Sequence, residues 1–136
     1  MAKTPIPRPT DAELAILRVL WERGPSTVRE VHEIVGVSRR LQYTTTLKLL
    51  QIMTEKGLTE REAEGRSHVY AASQPKEETQ RRLVDDLLER AFGGSAATLV
   101  MQALAAKPAS EAELGEIGRL IARSVTDKSK KEKDRG

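Results

Sequence analysis

Apolar residues recur along this chain at two spacings, and the changes between them mark out its elements. Leu14, Leu17, Leu20 and Trp21 repeat at helical intervals with Ile16 beside them, which predicts a first helix from Thr10 onward. Thr10 supplies its N-cap and Glu13 the reciprocal partner of a capping box. Gly24-Pro25 stops it. A second helix, capped by Ser26 or Thr27, carries Val28, Val31, Ile34 and Val35 as its stripe and ends at Gly36. Residues 37–41 lead into a third, about 42–56, with Leu47, Leu50 and Met53 facing inward and Gly57 as its stop. The pattern then shortens. Residues 58–62 and 67–72 read as two strands joined by the turn Ala63-Glu64-Gly65-Arg66.

Helical spacing returns in the second half. Pro75 opens a long helix to about Phe92, with Leu83, Val84, Leu87 and Leu88 on one side, and Gly93-Gly94 breaks it. Ser95 caps a helix through Ala106 bearing Leu99, Val100, Met101 and Leu104. After Lys107-Pro108, Ser110 and Glu113 form a capping box for a last helix with Leu114, Ile117, Leu120 and Ile121. Pro5, Pro7 and Pro9 make residues 1–9 a flexible arm, and the lysine-rich, apolar-poor residues 126–136 read as a disordered basic tail. The expected fold is mainly α. A winged helix-turn-helix of three helices and a two-stranded wing occupies residues 10–74, and a three-helix dimerisation domain occupies residues 75–125.

The net charge of +3 is modest, but its distribution is informative. Residues 1–74 carry 11 basic and 9 acidic side chains, whereas residues 75–125 carry 7 and 8. No acidic residue occurs from Ile34 through Thr54, a window that holds Arg39, Arg40 and Lys48. A surface that replaces counterions on phosphates needs such a gap in negative charge. A helix that donates hydrogen bonds, followed by a small basic ribbon, is the layout of a winged helix-turn-helix docked on duplex DNA.

Composition removes several other chemistries. There is no cysteine, so disulfides, thiolate metal sites and cysteine nucleophiles are excluded. His32 and His68 are too few and too far apart for a metal site. No Ser-His-Asp arrangement or phosphate loop is present, and neither an enzyme nor a cofactor or metal is expected. No apolar run reaches the ~18 residues of a membrane helix, and a cytoplasmic protein without membrane insertion is expected. Trp21, Tyr43, Tyr70 and Phe92 are the whole aromatic set, too sparse for stacking single-stranded bases.

The expected DNA-facing residues follow from docking geometry. The second helix of the pair enters the major groove by its N-terminal part, here Gln42, Tyr43, Thr44, Thr45 and Lys48. Gln pairs with adenine at two points, and Thr donates, accepts or packs its methyl on thymine. Arg39 and Arg40 suit phosphates at the helix entrance, and Arg61 and Arg66 flank the wing turn. Tyr43 is open to a core and a phosphate-facing reading, and Thr46 is expected to face inward. Three successive threonines are poor helix formers, so something other than propensity selects them. A winged-helix interaction module that binds protein rather than duplex is the alternative, and the Arg39, Arg40 and Lys48 window weighs against it.

Leu99, Val100, Met101, Leu104, Leu114, Ile117, Leu120 and Ile121 are the expected dimer core, while Leu83 and Leu87 are expected to pack within their own chain. Pairing two readers on two half-sites multiplies affinity through effective concentration.

Six short pieces carry a resemblance: Asp11-Ala-Glu-Leu-Ala-Ile-Leu-Arg-Val-Leu-Trp21, Gly24-Pro-Ser-Thr-Val-Arg-Glu-Val-His-Glu33, Tyr43-Thr-Thr45, Glu55-Lys-Gly-Leu58, Gly65-Arg-Ser-His-Val-Tyr70 and Ala91-Phe-Gly-Gly-Ser95. In this order, from about Pro9 to Ile121, the chain resembles the penicillinase repressor (BlaI/MecI) family. The resemblance implies a homodimeric winged-helix repressor on a palindromic operator. It also implies relief of repression through a membrane sensor protease, with cleavage in the dimerisation domain. The position matching the cleaved Asn-Phe bond is Gln102-Ala103 here. Thr46, Lys48 and Ile52 stand where relatives often carry Val, Thr and Arg. The cysteines of the copper-responsive branch are absent.

Overall fold

The computed structural model describes residues 7–135, so residues 1–6 of the expected arm and Gly136 of the expected tail lie outside the described residues. The elements are α1 (Asp11–Arg23), β1 (Ser26–Thr27), α2 (Val28–Val31), a π-helical turn (His32–Gly36), α3 (Tyr43–Lys56), β2 (Thr59–Glu64), β3 (Ser67–Ala72), α4 (Lys76–Ala91), α5 (Ala96–Ala106) and α6 (Glu111–Arg135). They form two compact units, divided inside α4 between Asp86 and Leu87.

In the first unit, α1 starts where its capping box dictates. The Thr10 amide donates to the Glu13 carboxylate at 2.9 Å, and the Glu13 amide donates to Thr10 Oγ1 at 3.2 Å. Thr27 and Glu30 repeat the device at the start of α2, so Thr27 is the cap of that helix. Ile16 and Leu17 of α1, Val31 of α2, Leu50 and Met53 of α3, and Tyr70 of β3 meet in one core, none more than 2% exposed. Gly57 ends α3 in the left-handed conformation (φ 84°), which a glycine adopts without steric cost.

The sheet has three strands in the order β1-β3-β2, all antiparallel. The wing ribbon was expected; β1 was not. Ser26 pairs with Tyr70 and Thr27 with Val69, which ties the start of α2 to the wing. Two residues are too few to show any periodicity.

The second helix also departs from expectation. Gly36 does not end it. The chain widens into the π-helical turn and helical structure continues through residues 37 and 38. It stops at Arg40, which takes a positive φ of 57°.

In the second unit, Ser95 caps α5 by accepting from the Thr98 amide at 3.2 Å. Ser110 and Glu113 form the expected box, at 3.0 and 3.1 Å. The helix α6 continues to Arg135, so residues 126–135 are helical where the composition reads as disordered. Lys and Glu are good helix formers, and an uninterrupted helix needs no apolar stripe to extend by several turns.

Candidate nucleic-acid interface

The recognition element is α3. Gln42 occupies its N-cap with extended backbone (φ −78°, ψ 156°), but its side chain makes no capping bond, and no acidic residue stands in the first turn. First-turn N–H groups thus lack a side-chain partner, and the positive end of the helix dipole is not offset by a carboxylate. Thr46, Leu50 and Met53, spaced four and three apart, are completely buried and define the core face. Thr44, Thr45, Lys48 and Gln51 are exposed on the rest of the cylinder. Thr46 therefore faces inward.

Register places the wing charges. In β2, Arg61 lies opposite Tyr70 and so shares its sheet face, while Glu60 and Glu62 alternate to the other. The carboxylates of β2 that neighbour Arg61 in sequence therefore point away from it. Arg61 and Arg66 line a groove of about 570 Å³ between the wing and α3, together with Tyr43, Leu47, Gln51 and Arg29. Ser67, His68 and the β1–α2 junction complete it.

Of the residues expected to face DNA, this groove gathers Tyr43, Arg61 and Arg66. Arg39 lies elsewhere, beside Arg18 and Glu22 of α1. Arg40, Gln42, Thr44, Thr45 and Lys48 are exposed and outside the groove lining. Tyr43 is 47% exposed and sets its ring against that of His32, centroids 5.4 Å apart and planes at 77°. Sequence reasoning did not assign Arg29, Gln51 or His68. Gln51 lies two turns along α3 from Thr44, so helical spacing could have found it; Arg29 and His68 depend on the tertiary contact of wing and helix.

In the second unit, Met101, Leu114, Leu120 and Ile121 are 47–61% exposed, and Val100 is 41% exposed. Leu99, Leu104 and Ile117 are half-buried. Val125, unassigned from sequence, is exposed in the same way. Leu83 is half-buried in the first unit, whereas Leu87 stays 44% exposed and does not show the burial expected of it.

Among the described residues no helix is long and apolar enough to cross a membrane, and no cluster of His, Asp and Glu is fit to hold a metal ion.

Comparison with known proteins bears on this geometry. The family model described as "Penicillinase repressor" matches residues 9–123. Over 82 residues the chain is 38% identical to the transcriptional regulator BlaI of Mycobacterium tuberculosis, in strains CDC 1551 / Oshkosh and ATCC 25618 / H37Rv. That alignment covers 60% of this chain and 59% of the mycobacterial protein, under two thirds of its length. Among solved structures, the DNA-binding domain of the repressor BlaI superposes with a TM-score of 0.50 at 25% identity, covering 56% of this chain and 93% of that domain.

Proposed function

This chain belongs to the penicillinase repressor family, and we propose that it is a transcriptional repressor that binds double-stranded DNA sequence-specifically as a homodimer on a palindromic operator. One observation carries the reading. The exposed face of α3 begins with an uncapped, acid-free turn and presents Thr44, Thr45 and Lys48, and beside it the wing directs Arg61 and Arg66 into a groove. The first feature suits base edges in a major groove, and the second suits the flanking phosphates. The likeness to the solved DNA-binding domain of the repressor BlaI supports the same use of the first unit.

Arg40 adds a separate argument. A left-handed backbone costs a side-chain-bearing residue about 1–2 kcal/mol relative to glycine. Something other than local backbone preference selects arginine there, and in our reading it is a phosphate. Arg39 and Gln42 join it at the entrance to α3.

In this reading residues 10–74 contact DNA and residues 75–125 make the dimer. Leu99, Val100, Met101, Leu104, Leu114, Ile117, Leu120 and Ile121 form its apolar core. The exposure of Val100, Met101, Leu114, Leu120 and Ile121 in a single chain supports that use, since unpartnered apolar stripes on successive helices need a cover. A cut between residues 95 and 121 by a sensor protease would separate the subunits and end repression in the cytoplasm without touching the DNA-facing surface. Titrating the purified chain into the duplex upstream of its own coding sequence, and into a shuffled duplex of equal composition, tests the proposal. A preference for the upstream duplex supports it; equal, weak binding to both favours a winged-helix module that binds protein instead.

A further inference from the structure

His32 occupies the joint between the two helices of the helix-turn-helix. Its Nδ1 lies 2.8 Å from Thr46 Oγ1. Thr46 is completely buried on the core face of α3, where an apolar residue would pack without needing a partner. A buried hydroxyl left unpaired costs free energy, and this contact is the shorter of the two that pair it. In the other, Thr46 Oγ1 lies 3.5 Å, the long limit of a hydrogen bond, from the carbonyl of Gln42, the N-cap of α3. The imidazole meets Tyr43 edge-on, so it braces the first turn of α3 at a second point.

The backbone is shaped around this ring. His32 opens the π-helical turn, with the Val37 amide donating to the His32 carbonyl five residues back. At Gly36 an added Cβ would fall 1.9 Å from His32 Nδ1 and 2.3 Å from Cε1. Gly36 is thus needed for the space it leaves, not for a turn. A wide turn inside an α-helix is a local cost that recurs at functional sites. Here it seats one side chain against the element that faces DNA.

Resting on the repressor reading above, we infer that His32 is a positioning residue for operator discrimination: it fixes the rotation of α3 about its own axis through Thr46 and Tyr43. The leverage is geometric. On a helix about 10–12 Å across, a rotation of about 20° displaces side-chain tips by about 2 Å. Base-edge hydrogen bonds from Thr44 and Thr45 do not survive such a displacement, whereas diffuse attraction to phosphates does. Loss of His32 therefore removes discrimination before it removes binding.

The test measures affinity for the upstream duplex and for a shuffled duplex at one salt concentration, with a thermal melt of each variant. His32→Ala and the isosteric Thr46→Val should each cut the upstream-to-shuffled ratio about tenfold, with shuffled-duplex affinity within about twofold of wild type. The double variant should be little worse than His32→Ala alone, since that change already removes the contact that Thr46→Val breaks. His32→Asn, whose amide reaches the place of Nδ1, should restore part of the ratio. If His32→Ala fails to fold, Thr46→Val and His32→Asn carry the same comparison. An unchanged ratio in a folded variant, equal losses on both duplexes, or additive losses in the double variant would overturn the positioning role alone. If wild type itself shows no preference, the repressor reading fails first and this inference goes with it.

Discussion

Glu13 in the first turn of α1 accepts from the Lys56 ammonium in the last turn of α3 at 2.9 Å, across 43 residues of chain. The contact joins the opening of the domain to the far end of the helix proposed to read DNA. It is asymmetric: the Glu13 side chain is almost fully buried, and that of Lys56 is 31% exposed. Burial pushes the Glu13 carboxyl up, but the hydrogen bond from the Thr10 backbone and the Lys56 ammonium outweigh it and hold the group below the usual carboxylate range.

A depressed carboxylate stabilises the fold fully above its unfolded value, about 4.3, and the contribution fades as pH falls through the lower folded value. The wild-type melting temperature should therefore drop as the pH goes below about 4.3, and the drop should be smaller in Glu13→Gln. At neutral pH, Glu13→Ala should cost about 2–3 kcal/mol, because it removes half of a capping box and leaves the Lys56 ammonium without its partner. Thermal melts across pH measure the first effect, and chemical denaturation at neutral pH measures the second.

Arg40 should trade stability against binding. Arg40→Gly relieves the left-handed backbone and should stabilise the first unit by about 0.5–1 kcal/mol, after allowing for the greater freedom of glycine in the unfolded chain. The same change should weaken binding to upstream and shuffled duplexes alike, because a phosphate contact carries no sequence information. A stabilised variant with undiminished affinity would remove Arg40 from the interface.

Thr44→Ala and Thr45→Ala should behave in the opposite sense. Each should cost about 1–3 kcal/mol of discrimination with little change on the shuffled duplex, whereas Arg66→Ala should lower both affinities together. Fluorescence titrations of all three variants on both duplexes separate the classes. Equal losses for the threonine variants would put those side chains on the phosphate backbone.

Much of the first unit is legible in the sequence, for local reasons. Thr10 with Glu13 announces the start of α1, as Ser110 with Glu113 does for α6 in the second unit, because the reciprocal hydrogen bonds need only four consecutive residues. Gly57 announces the end of α3 because the left-handed conformation there excludes most other residues. Gly36 misleads for the same reason. It resembles a terminator, yet its lack of a side chain serves the His32 ring in the adjacent turn. The partnership of His32 with Thr46 spans 14 residues and leaves no periodic trace. Arg29 and His68 enter the groove only because β1 clamps the start of α2 to β3. Long-range pairing of very short strands is the part of this fold that hydrophobic patterning cannot carry.

Leu104 and Ile117 are half-buried in the second unit of a single chain, beside the exposed Met101 and Leu120. A charge there would be buried and unpaired in a dimer, a cost of several kcal/mol that separation of the subunits avoids. Leu104→Asp or Ile117→Asp should therefore give a folded monomer that fills the full operator only at much higher concentration. Sedimentation alongside gel-shift checks this. Dimers with wild-type affinity would move the interface to the helix spanning Lys76–Ala91.

The most direct measurement is the salt dependence of operator binding. With ~6–10 phosphates neutralised by a dimer, the apparent affinity for the upstream duplex should fall by roughly 10³ or more between 50 and 200 mM salt, while preference over a shuffled duplex persists. Binding that is indifferent to salt, or a preference that is absent at every salt concentration, would contradict the account.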